Sequence, residues 1–383
     1  MIDALAWIAV LPPLLATTIL AIELGAAQMR CAALPSTRPA ELTILIPAHD
    51  EEARIARTVQ AARMAAPADA AILVVADNCS DATAGCARAA GAEVIERQDE
   101  AQRGKGHALG FARRHLRAAP PALVVVLDAD CDVEGDGLSR LAGAAAALNR
   151  PVQSAYLFRP ADHRGPLVAV SGFALLLRNL VRQRGLARIG APALLTGSGM
   201  ALPWRCFEAA PLDTGDLAED LTMGIALAQL GMAPGFLPLV TTWSDPGGRV
   251  ATLGQRTRWE QGFLRGAARH VPPLLLSGDW RQMWLALHLC VPPLALLGLL
   301  SAAALLASAT LAAFGASTLP LLLLSLSLAA AAALVLLSWW RFGRGQVGPA
   351  QLLLAPAYML WKLPIYLRAI LAPERLWKRT PRD

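Results

Sequence analysis

The sequence predicts an α/β fold in which a doubly wound sheet lies between membrane-spanning helices. Three observations indicate this fold. Buried-strand patterns alternate with helical patterns, polar clusters follow the strands directly, and long apolar runs lie on both sides of this segment. The chain of 383 residues is 55% hydrophobic and carries a formal net charge of +6. This composition is more apolar than that of an ordinary soluble protein.

The first predicted element is a membrane helix within residues 1–34. Its apolar run, Ala4–Ile22, has about the length that crosses a bilayer. Asp3 but no Lys or Arg precedes the run, which favours an uncleaved helix over a signal peptide. Basic residues follow it at Arg30 and Arg38. By the positive-inside rule, this asymmetry predicts a multi-pass protein of the inner (plasma) membrane whose domain of residues 35–280 is cytoplasmic.

Strands and helices alternate along the first half of that domain. The predicted strands are Leu42–Ile46, Ala71–Val75, a short strand that begins at Val94, and Leu123–Leu127. The predicted helices are Glu51–Met64, a helix capped by Ser80 or Asp81 and closed by Gly91, and Gly106–Arg117. This order predicts a parallel, doubly wound sheet, which binds ligands beyond the carboxyl ends of its strands.

Polar residues follow three of these strands. They are Ala48-His49-Asp50-Glu51, Asp77-Asn78-Cys79-Ser80-Asp81 and Asp128-Ala129-Asp130. Any one of these clusters alone is typical of a helix cap or a turn, but the predicted sheet brings all three to one crevice. Neither a dinucleotide-binding GxGxxG motif nor a P-loop follows the first strand, which disfavours those two kinds of site.

Asp128 and Asp130 indicate a site for a divalent cation. Their carboxylate oxygens are hard ligands, and Mg²⁺ or Mn²⁺ held in this way usually completes its shell with phosphate oxygens. The glycine-rich segment Arg103–His107 is predicted to place Lys105 or Arg103 near that phosphate, and Asp77 can accept a hydrogen bond from a nucleobase. Together these residues predict a nucleoside-diphosphate site whose leaving group the metal neutralises.

Motifs along Leu42–Phe263 carry a resemblance to a known family. They are Ile46-Pro47-Ala48-His49-Asp50-Glu51, Asp77-Asn78, Asp128-Ala129-Asp130, Thr196-Gly197-Ser198-Gly199, Glu219-Asp220 and the QxxRW of Gln255, Arg258 and Trp259. The ordered set resembles the family 2 glycosyltransferases with a GT-A fold. Within that family it is most similar to the membrane-embedded branch of cellulose, chitin and hyaluronan synthases and ceramide glucosyltransferase. One residue departs from the pattern, because Asp50 stands where the family usually has Asn.

The resemblance implies a role for each matching residue. Asp220 would be the general base, and Asp128 and Asp130 would hold Mg²⁺ or Mn²⁺. The implied donor-binding residues, with Lys105 added from its predicted position, are Pro47, Glu51, Asp77, Lys105, Asp128, Gln255 and Arg258. The implied acceptor-binding residues are Gly199 and Trp259.

The segment Gly165–Arg188 supports two interpretations. Its apolar run, Leu167–Leu177, ends in a cluster of arginines. This pattern is typical of an amphipathic helix at the bilayer surface that guides a lipid-like acceptor, and equally of a core helix with a basic end.

Residues 281–383 are predicted to form a C-terminal membrane region. Trp284–Trp340 is long enough for two spans, with a turn near Gly315–Thr318. Gln351–Leu371 is apolar but has basic residues on both flanks, which predicts an interfacial helix followed by a basic tail; a fourth span is the alternative. In or near the spans, only Glu23 and His288 are notable polar residues, which disfavours a transporter.

The predicted function is inverting transfer of a sugar from a nucleotide sugar to a hydroxyl of a lipid or lipid-linked acceptor at the cytoplasmic membrane face. Uridine is the favoured nucleoside of the donor. The expected partners are this donor, a lipid or saccharide acceptor and membrane lipids. Nucleic acid is not expected, because the basic residues are not interleaved with aromatic ones. A processive polysaccharide synthase is one alternative, although about three spans are few for a polymer channel. A nucleotidyltransferase is another, although it has no need of Asp220 or QxxRW.

Overall fold

The structure is a computed structural model, and it describes most of the chain. The described residues are 1–38, 41–160, 165–216, 218–246 and 249–366, with the backbone alone between 249 and 255. The basic tail after residue 366 and the side chain of Gln255 therefore lie outside the described residues.

One eight-stranded mixed sheet forms the centre of the domain. Its strands are β1 (Leu42–Ala48), β2 (Ala71–Asp77), β3 (Glu93–Arg97), β4 (Leu123–Val126), β5 (Cys131–Val133), β6 (Val152–Phe158), β7 (Met200–Pro203) and β8 (Gly235–Ser244). They lie in the order β3-β2-β1-β4-β7-β6-β8-β5. The first four strands of this order pair in parallel, as the sequence predicts.

The other half of the sheet, for which the sequence analysis names no strands, is mixed. β7 pairs antiparallel with both β4 and β6, β8 is parallel to β6, and β5 is antiparallel to β8. The reason lies in the loop Thr196–Gly199, which stands at the carboxyl end of β4. A strand that leaves this edge must run back across the sheet, and β7 therefore opposes β4.

Helices cover both faces of the sheet. They are α2 (Ile55–Ala65), α3 (Thr83–Ala89), α4 (Lys105–Leu116), α5 (Gly137–Leu148), α6 (Pro166–Leu176), α7 (Gln183–Ile189), α8 (Trp204–Ala209) and α9 (Glu219–Gln229). Alternate residues of β1 point to opposite faces, so Ile44 and Ile46 pack with α2, α3 and α5, whereas Leu45 packs with α4, α8 and α9. This layering is the doubly wound arrangement that the sequence predicts.

Three helices are long and apolar enough to cross a membrane. They are α1 (Ile2–Ala27), α12 (Leu294–Ala313) and α13 (Leu319–Ser338), which continues through a π-helical turn to Gly343. Among the described residues, these three candidate spans equal the predicted number. The predicted turn between the last two is present, since Gly315 has a φ of +94° just after α12 ends.

The segment after the spans differs from its prediction. Instead of one interfacial helix over Gln351–Leu371, the described part forms the short helices α14 (Pro349–Leu352) and α15 (Ala355–Trp361). Proline explains the breaks, since Pro356 stands in the first turn of α15 and Pro364 follows its end. Tyr358 is buried against the domain in a cluster that includes residues of α6 and α12.

The segment Gly165–Arg188 is a core element. It runs as α6, a π-helical turn (Leu177–Arg182) and α7 without interruption. Phe173 and Val181 belong to one buried hydrophobic cluster with Leu157 of β6 and Leu24 of α1. Gly185 touches the backbone of Glu23, because an added Cβ would lie 2.2 Å from its carbonyl oxygen. The core interpretation is therefore right, and this segment joins the sheet to the apolar helix α1.

A buried cluster of charged residues connects this segment to α1. Glu23 of α1 accepts hydrogen bonds from Arg182 Nε at 2.6 Å and from His288 Nδ1 at 2.8 Å. His288 belongs to α11 (Trp280–Cys290), and all three side chains are at most 5% exposed. Glu23 and His288, which look isolated in the sequence, thus share one partner, Arg182.

Removing one member of this cluster is expected to destabilise the protein. Glu23→Gln leaves the Arg182 guanidinium buried without a carboxylate, which costs about 3–5 kcal/mol. The measurement is thermal unfolding of the full chain in detergent, in which the variant should unfold at a clearly lower Tm. The double variant Glu23→Met with Arg182→Met should recover part of the loss, because it removes both charges. Equal Tm values for Glu23→Gln and the parent would contradict a buried ion pair.

Candidate active site

The carboxyl ends of β1, β2 and β4 open into a cavity of about 320 Å³, a size typical of small-molecule sites. Nine of the predicted site residues line it: Pro47, Glu51, Asp77, Lys105, Asp128, Asp130, Asp220, Arg258 and Trp259. Gly199 does not line it. Of Gln255 only the backbone is described. The convergence of polar clusters that the sequence predicts is therefore present.

Lys105 lies at the centre of the acidic part of the cavity. Its ammonium forms an ion pair with Asp128 and donates a hydrogen bond to the carbonyl oxygen of Gly197 at 2.7 Å. Desolvation would by itself lower the pKa of Lys105, but the carboxylates of Asp128 and Glu219 outweigh it and raise the pKa. Lys105 thus carries a full positive charge beside the carboxylates, at the first residue of α4.

Asp128 and Asp130 bring their carboxylates together after β4. Ligand atoms of both residues and the sulfur of Cys131 lie within 4.8 Å of one another. Burial raises the pKa of the Cys131 thiol well above its ordinary value, so this sulfur stays protonated and is a poor metal ligand. The backbone amide of Asp128 donates to Ser198 Oγ at 3.0 Å, which fixes the turn. The two carboxylates are thus a donor set for a hard divalent cation.

Asp77 is held by an arginine that the sequence analysis does not single out. Arg97, the last residue of β3, donates from Nη1 to Asp77 Oδ1 at 2.6 Å, and both side chains are buried. The Asn78 amide donates to the same oxygen at 3.1 Å. No described residue donates a hydrogen bond to Asp77 Oδ2, and Asp77 lines the cavity. The signal for Arg97 is its place at the end of the strand next to β2.

The loops after β1 and β2 are joined by hydrogen bonds that stabilise their conformation. Asp50 and Asn78 have φ values of 52° and 53°, in the left-handed region that Asn and Asp tolerate. Asp50 Oδ1 accepts from the backbone amide of Ser80 at 2.7 Å. This contact needs an acceptor oxygen, which both Asp and Asn possess. The substitution of Asp50 for the usual Asn is therefore compatible with the loop, although it adds a negative charge.

The loop Thr196–Gly199 forms another wall of the cavity. Gly197 has a φ of +85°, and an added Cβ would lie 3.3 Å from Asp220 Oδ2 and 3.4 Å from Lys105 Nζ. Gly199 is enclosed instead by Ser154 and Thr242, each with a side-chain oxygen 2.1 Å from such a Cβ. Its predicted contact with an acceptor gains no support from this position, whereas Gly197 is the glycine beside the charged groups.

Glu219 and Asp220 open helix α9, as their pattern predicts. Desolvation and the charge of Asp220 raise the pKa of Glu219 to about 7. Desolvation also raises the pKa of Asp220, although the Leu221 amide, 2.8 Å from Oδ1, opposes the shift. Two neighbouring carboxyl groups with raised pKa values in one cavity are typical of acid–base sites.

Helix α10 (Arg249–Leu275) presents Arg258, Trp259 and Phe263 to the cavity. This follows from helical spacing, since residues i, i+1 and i+5 lie on one side of a helix, which here faces the cavity. The ring of Trp259 packs edge-on against Tyr156, with 6.3 Å between centroids. Arg256 points away from the cavity and donates to the Ser171 carbonyl at 2.9 Å. The Arg and Trp of the QxxRW motif thus both line the cavity, whereas the intervening Arg256 belongs to the core.

Arg178 is a cavity residue for which the sequence analysis assigns no individual role. It lies on the π-helical turn after α6, with its guanidinium 5.4 Å from the ring centroid of Phe263. Desolvation lowers the pKa of Arg178 to about 10, so it remains protonated at neutral pH. Its sequence signal is an arginine at the end of an apolar helical run.

The mixed sheet with paired carboxylates after β4 defines the GT-A class of fold. The chain belongs to the glycosyltransferase family described as "Glycosyltransferase like family 2", whose family model matches residues 39–262. It is therefore a glycosyltransferase. The comparison with curated proteins found no match.

The chain is similar to solved structures, and the first of the two that follow shows the same fold. The mannosyltransferase PcManGT from Pyrobaculum calidifontis, in complex with GDP-Man and Mn²⁺, is 20% identical, with a TM-score of 0.58 over 95% of this chain and 100% of that one. Glucosyl-3-phosphoglycerate synthase from Mycobacterium tuberculosis, in complex with Mn²⁺, UDP and phosphoglyceric acid, is 22% identical, with a TM-score of 0.41 over 59% of this chain and 78% of that one. The first similarity extends over the apolar helices as well as the domain.

Proposed function

We propose that this glycosyltransferase moves a sugar from a nucleotide sugar, a UDP-sugar, to a hydroxyl group of a lipid or lipid-linked acceptor at the cytoplasmic face of the membrane. The observation that carries the proposal is that Asp220 shares one cavity with the carboxylates of Asp128 and Asp130. A cavity that holds both a base for the acceptor and a cation site for the diphosphate suits a single displacement. Such a displacement inverts the configuration at the anomeric carbon.

The carboxylates of Asp128 and Asp130 fit Mg²⁺ or Mn²⁺, since their oxygens are close together and open to the cavity. The complex of PcManGT with GDP-Man and Mn²⁺ supports such a site. When bound, the cation would offset the negative charge of the diphosphate leaving group. Lys105 would add a second positive charge there, because it already lies against Asp128.

The other cavity residues divide the work of binding and proton transfer. Asp77 Oδ2 would accept a hydrogen bond from an N–H of the base, and Arg258 would bind the diphosphate with its planar fork. Asp220 would accept the acceptor's proton as the new bond from its oxygen to the anomeric carbon forms. The bond from that carbon to the phosphate oxygen breaks at the same time, and the nucleoside diphosphate leaves. Trp259 would form a wall for the acceptor.

The proposed membrane face rests on the ends of the apolar helices. The Ser317 amide donates to Asp3 at 2.6 Å, so the chain start and the α12–α13 turn lie at one end. Arg341 donates to the Gln28 carbonyl at 2.6 Å at the other end, where the domain follows. The basic residues Arg30, Arg341 and Arg344 belong to this second end. The positive-inside rule therefore favours a cytoplasmic domain at the inner (plasma) membrane.

A product analysis tests the proposed function. Membranes that contain the protein receive Mn²⁺ and radiolabelled UDP-sugars, with GDP-sugars in a parallel series. We expect label in a product that organic solvent extracts, together with release of a nucleoside diphosphate. Label in a product that organic solvent does not extract would indicate a processive polysaccharide synthase instead. Release of inorganic diphosphate would indicate a nucleotidyltransferase.

A further inference from the structure

Arg178 carries a positive charge into the cavity without a partner among the described residues. Its guanidinium makes no ion pair and no hydrogen bond with a described residue, and it lies over the ring of Phe263 at 5.4 Å from the centroid. It lines the cavity, so a ligand can reach it. A guanidinium that has lost part of its water without gaining an acceptor is costly.

The neighbouring cations differ from Arg178 in having partners. Arg182 pairs with Glu23, and Lys362 forms an ion pair with Glu260. Arg256 donates to both the hydroxyl and the carbonyl oxygen of Ser171. Arg182, Lys362 and Arg256 are thus already partnered within the protein. The charge of Arg178 is available to a bound molecule.

Arg178 lies on the side of the cavity that belongs to the proposed base. The charged groups around it are Asp220, Arg256 and Arg182. Asp220 is the one acidic group of this set, and it lies beyond ion-pair distance. Lys105 lies near Asp220 as well, but it is paired with Asp128, whereas neither Asp128 nor Asp130 is among the charges that act on Arg178. An anion bound by Arg178 would therefore belong to the acceptor rather than to the leaving group.

The fold also places Arg178 towards the membrane. Its π-helical turn is continuous with α7, which touches α1 at Gly185 and Glu23. Arg182, one turn further along, is fixed by the Glu23 cluster. The segment that carries Arg178 is thus anchored to a candidate membrane span, and an acceptor that arrives from the bilayer would meet Arg178 near Asp220.

We propose that Arg178 binds a phosphate-class anion carried by the acceptor, next to the hydroxyl that Asp220 deprotonates. The inference rests on the proposed function and specifies its acceptor. A guanidinium binds phosphate through two parallel N–H···O hydrogen bonds, a geometry that an ammonium cannot match. The phosphate can belong to a lipid or to a soluble phosphate ester, since both present the same group.

The test compares two matched pairs of probes on the full chain in nanodiscs with UDP and Mn²⁺. The lipid pair is phosphatidic acid and diacylglycerol, and the soluble pair is glycerol 3-phosphate and glycerol. The measurement is the dissociation constant of each probe. We expect the phosphorylated member of one pair to bind at least about 10-fold more tightly than its partner. The pair that discriminates identifies the source of the phosphate. Equal binding within both pairs would overturn the inference.

Variants assign the discrimination to Arg178. Arg178→Gln should weaken binding of the phosphorylated probe by about 10- to 100-fold, and Arg178→Lys should restore part of it. Arg188→Gln is the matched control, because Arg188 lies exposed on α7 outside the cavity, and it should bind as the parent does. Unchanged phosphate binding by Arg178→Gln would overturn the inference.

Binding of the nucleotide separates this inference from the proposed function. Stabilisation by UDP with Mn²⁺ should persist in Arg178→Gln, which also shows that the variant folds. If the parent binds the nucleotide with Mn²⁺ but does not distinguish phosphate, the inference alone fails. If the parent binds neither UDP nor GDP with Mn²⁺, the proposed function fails and the inference with it. Should Arg178→Gln not fold, the discrimination by the parent and the Arg178→Lys variant decide.

Discussion

Asp220→Asn is expected to lower sugar transfer by about 10²–10⁴-fold, the usual contribution of general-base catalysis. An acceptor hydroxyl is a weak nucleophile until a base takes its proton. Asp220 stands at the start of α9, where desolvation raises its pKa, and so its basicity, while the helix dipole opposes that rise. The amide that replaces it has nearly the same shape but accepts no proton. Donor binding should stay within a few-fold, because the Asp128 side of the cavity is unchanged.

The measurement separates the two steps. Transfer is followed with radiolabelled donor, and donor affinity is followed by nucleotide binding with Mn²⁺. Asp213→Asn is the matched control, because Asp213 has a φ of 63° that Asn tolerates and pairs with Arg114 outside the cavity. Transfer by Asp220→Asn at the parent rate would show that Asp220 is a structural residue of α9 and that the base lies elsewhere.

The first half of the sheet could be predicted because its signals are local. Leu42–Ile46 is predicted and β1 extends over Leu42–Ala48, since an uninterrupted apolar run specifies a buried strand by itself. Asp128 and Asp130 follow β4 directly, so their place at the sheet edge depends on one strand alone. The start of α9 at Glu219 is predictable for the same reason, because it needs only the residues of its own first turns.

The second half could not be predicted in this way. The direction of β7 depends on where the loop Thr196–Gly199 stands in the folded domain, and no pattern within Met200–Pro203 encodes that position. The same holds for the segment Gly165–Arg188. Its sequence is equally compatible with the bilayer surface and the core, and contact with α1 decides between the two.

Sequence analysis cannot identify the partners of buried charged residues when they lie far apart in the chain. Arg97 and Asp77 lie 20 residues apart, and Arg182 and Glu23 lie 159 apart. Each residue alone resembles an ordinary charged side chain. Arg178 is recognisable as a site residue only when its neighbours have been matched with their own partners. The role proposed for Arg178 is therefore inferred from its comparison with Arg182, Arg256 and Lys362, and no sequence motif indicates it.

Asp130→Ala is expected to reduce transfer by more than about 10³-fold, which exceeds the effect of losing a single hydrogen-bond donor in an active site. The reason is the state of the remaining carboxylate. Lys105 already neutralises Asp128, so Asp128 alone would offer little attraction to a cation. Asp130 lies two residues further on and also lines the cavity, so it is the second carboxylate that a cation there can contact. The pair needs both members to attract Mg²⁺ or Mn²⁺.

Removal of the metal should have the same consequence as Asp130→Ala. Transfer is measured in membranes before and after excess EDTA, and again after Mn²⁺ or Mg²⁺ is returned; the parent should lose and regain activity, whereas Asp130→Ala should stay inactive throughout. Asp136→Ala is the control, because Asp136 is an exposed aspartate that pairs with Arg140 and lies outside the cavity. Full activity of the parent in excess EDTA would rule out the metal. Cationic side chains of the cavity, such as Lys105 and Arg258, would then have to offset the charge of the leaving diphosphate.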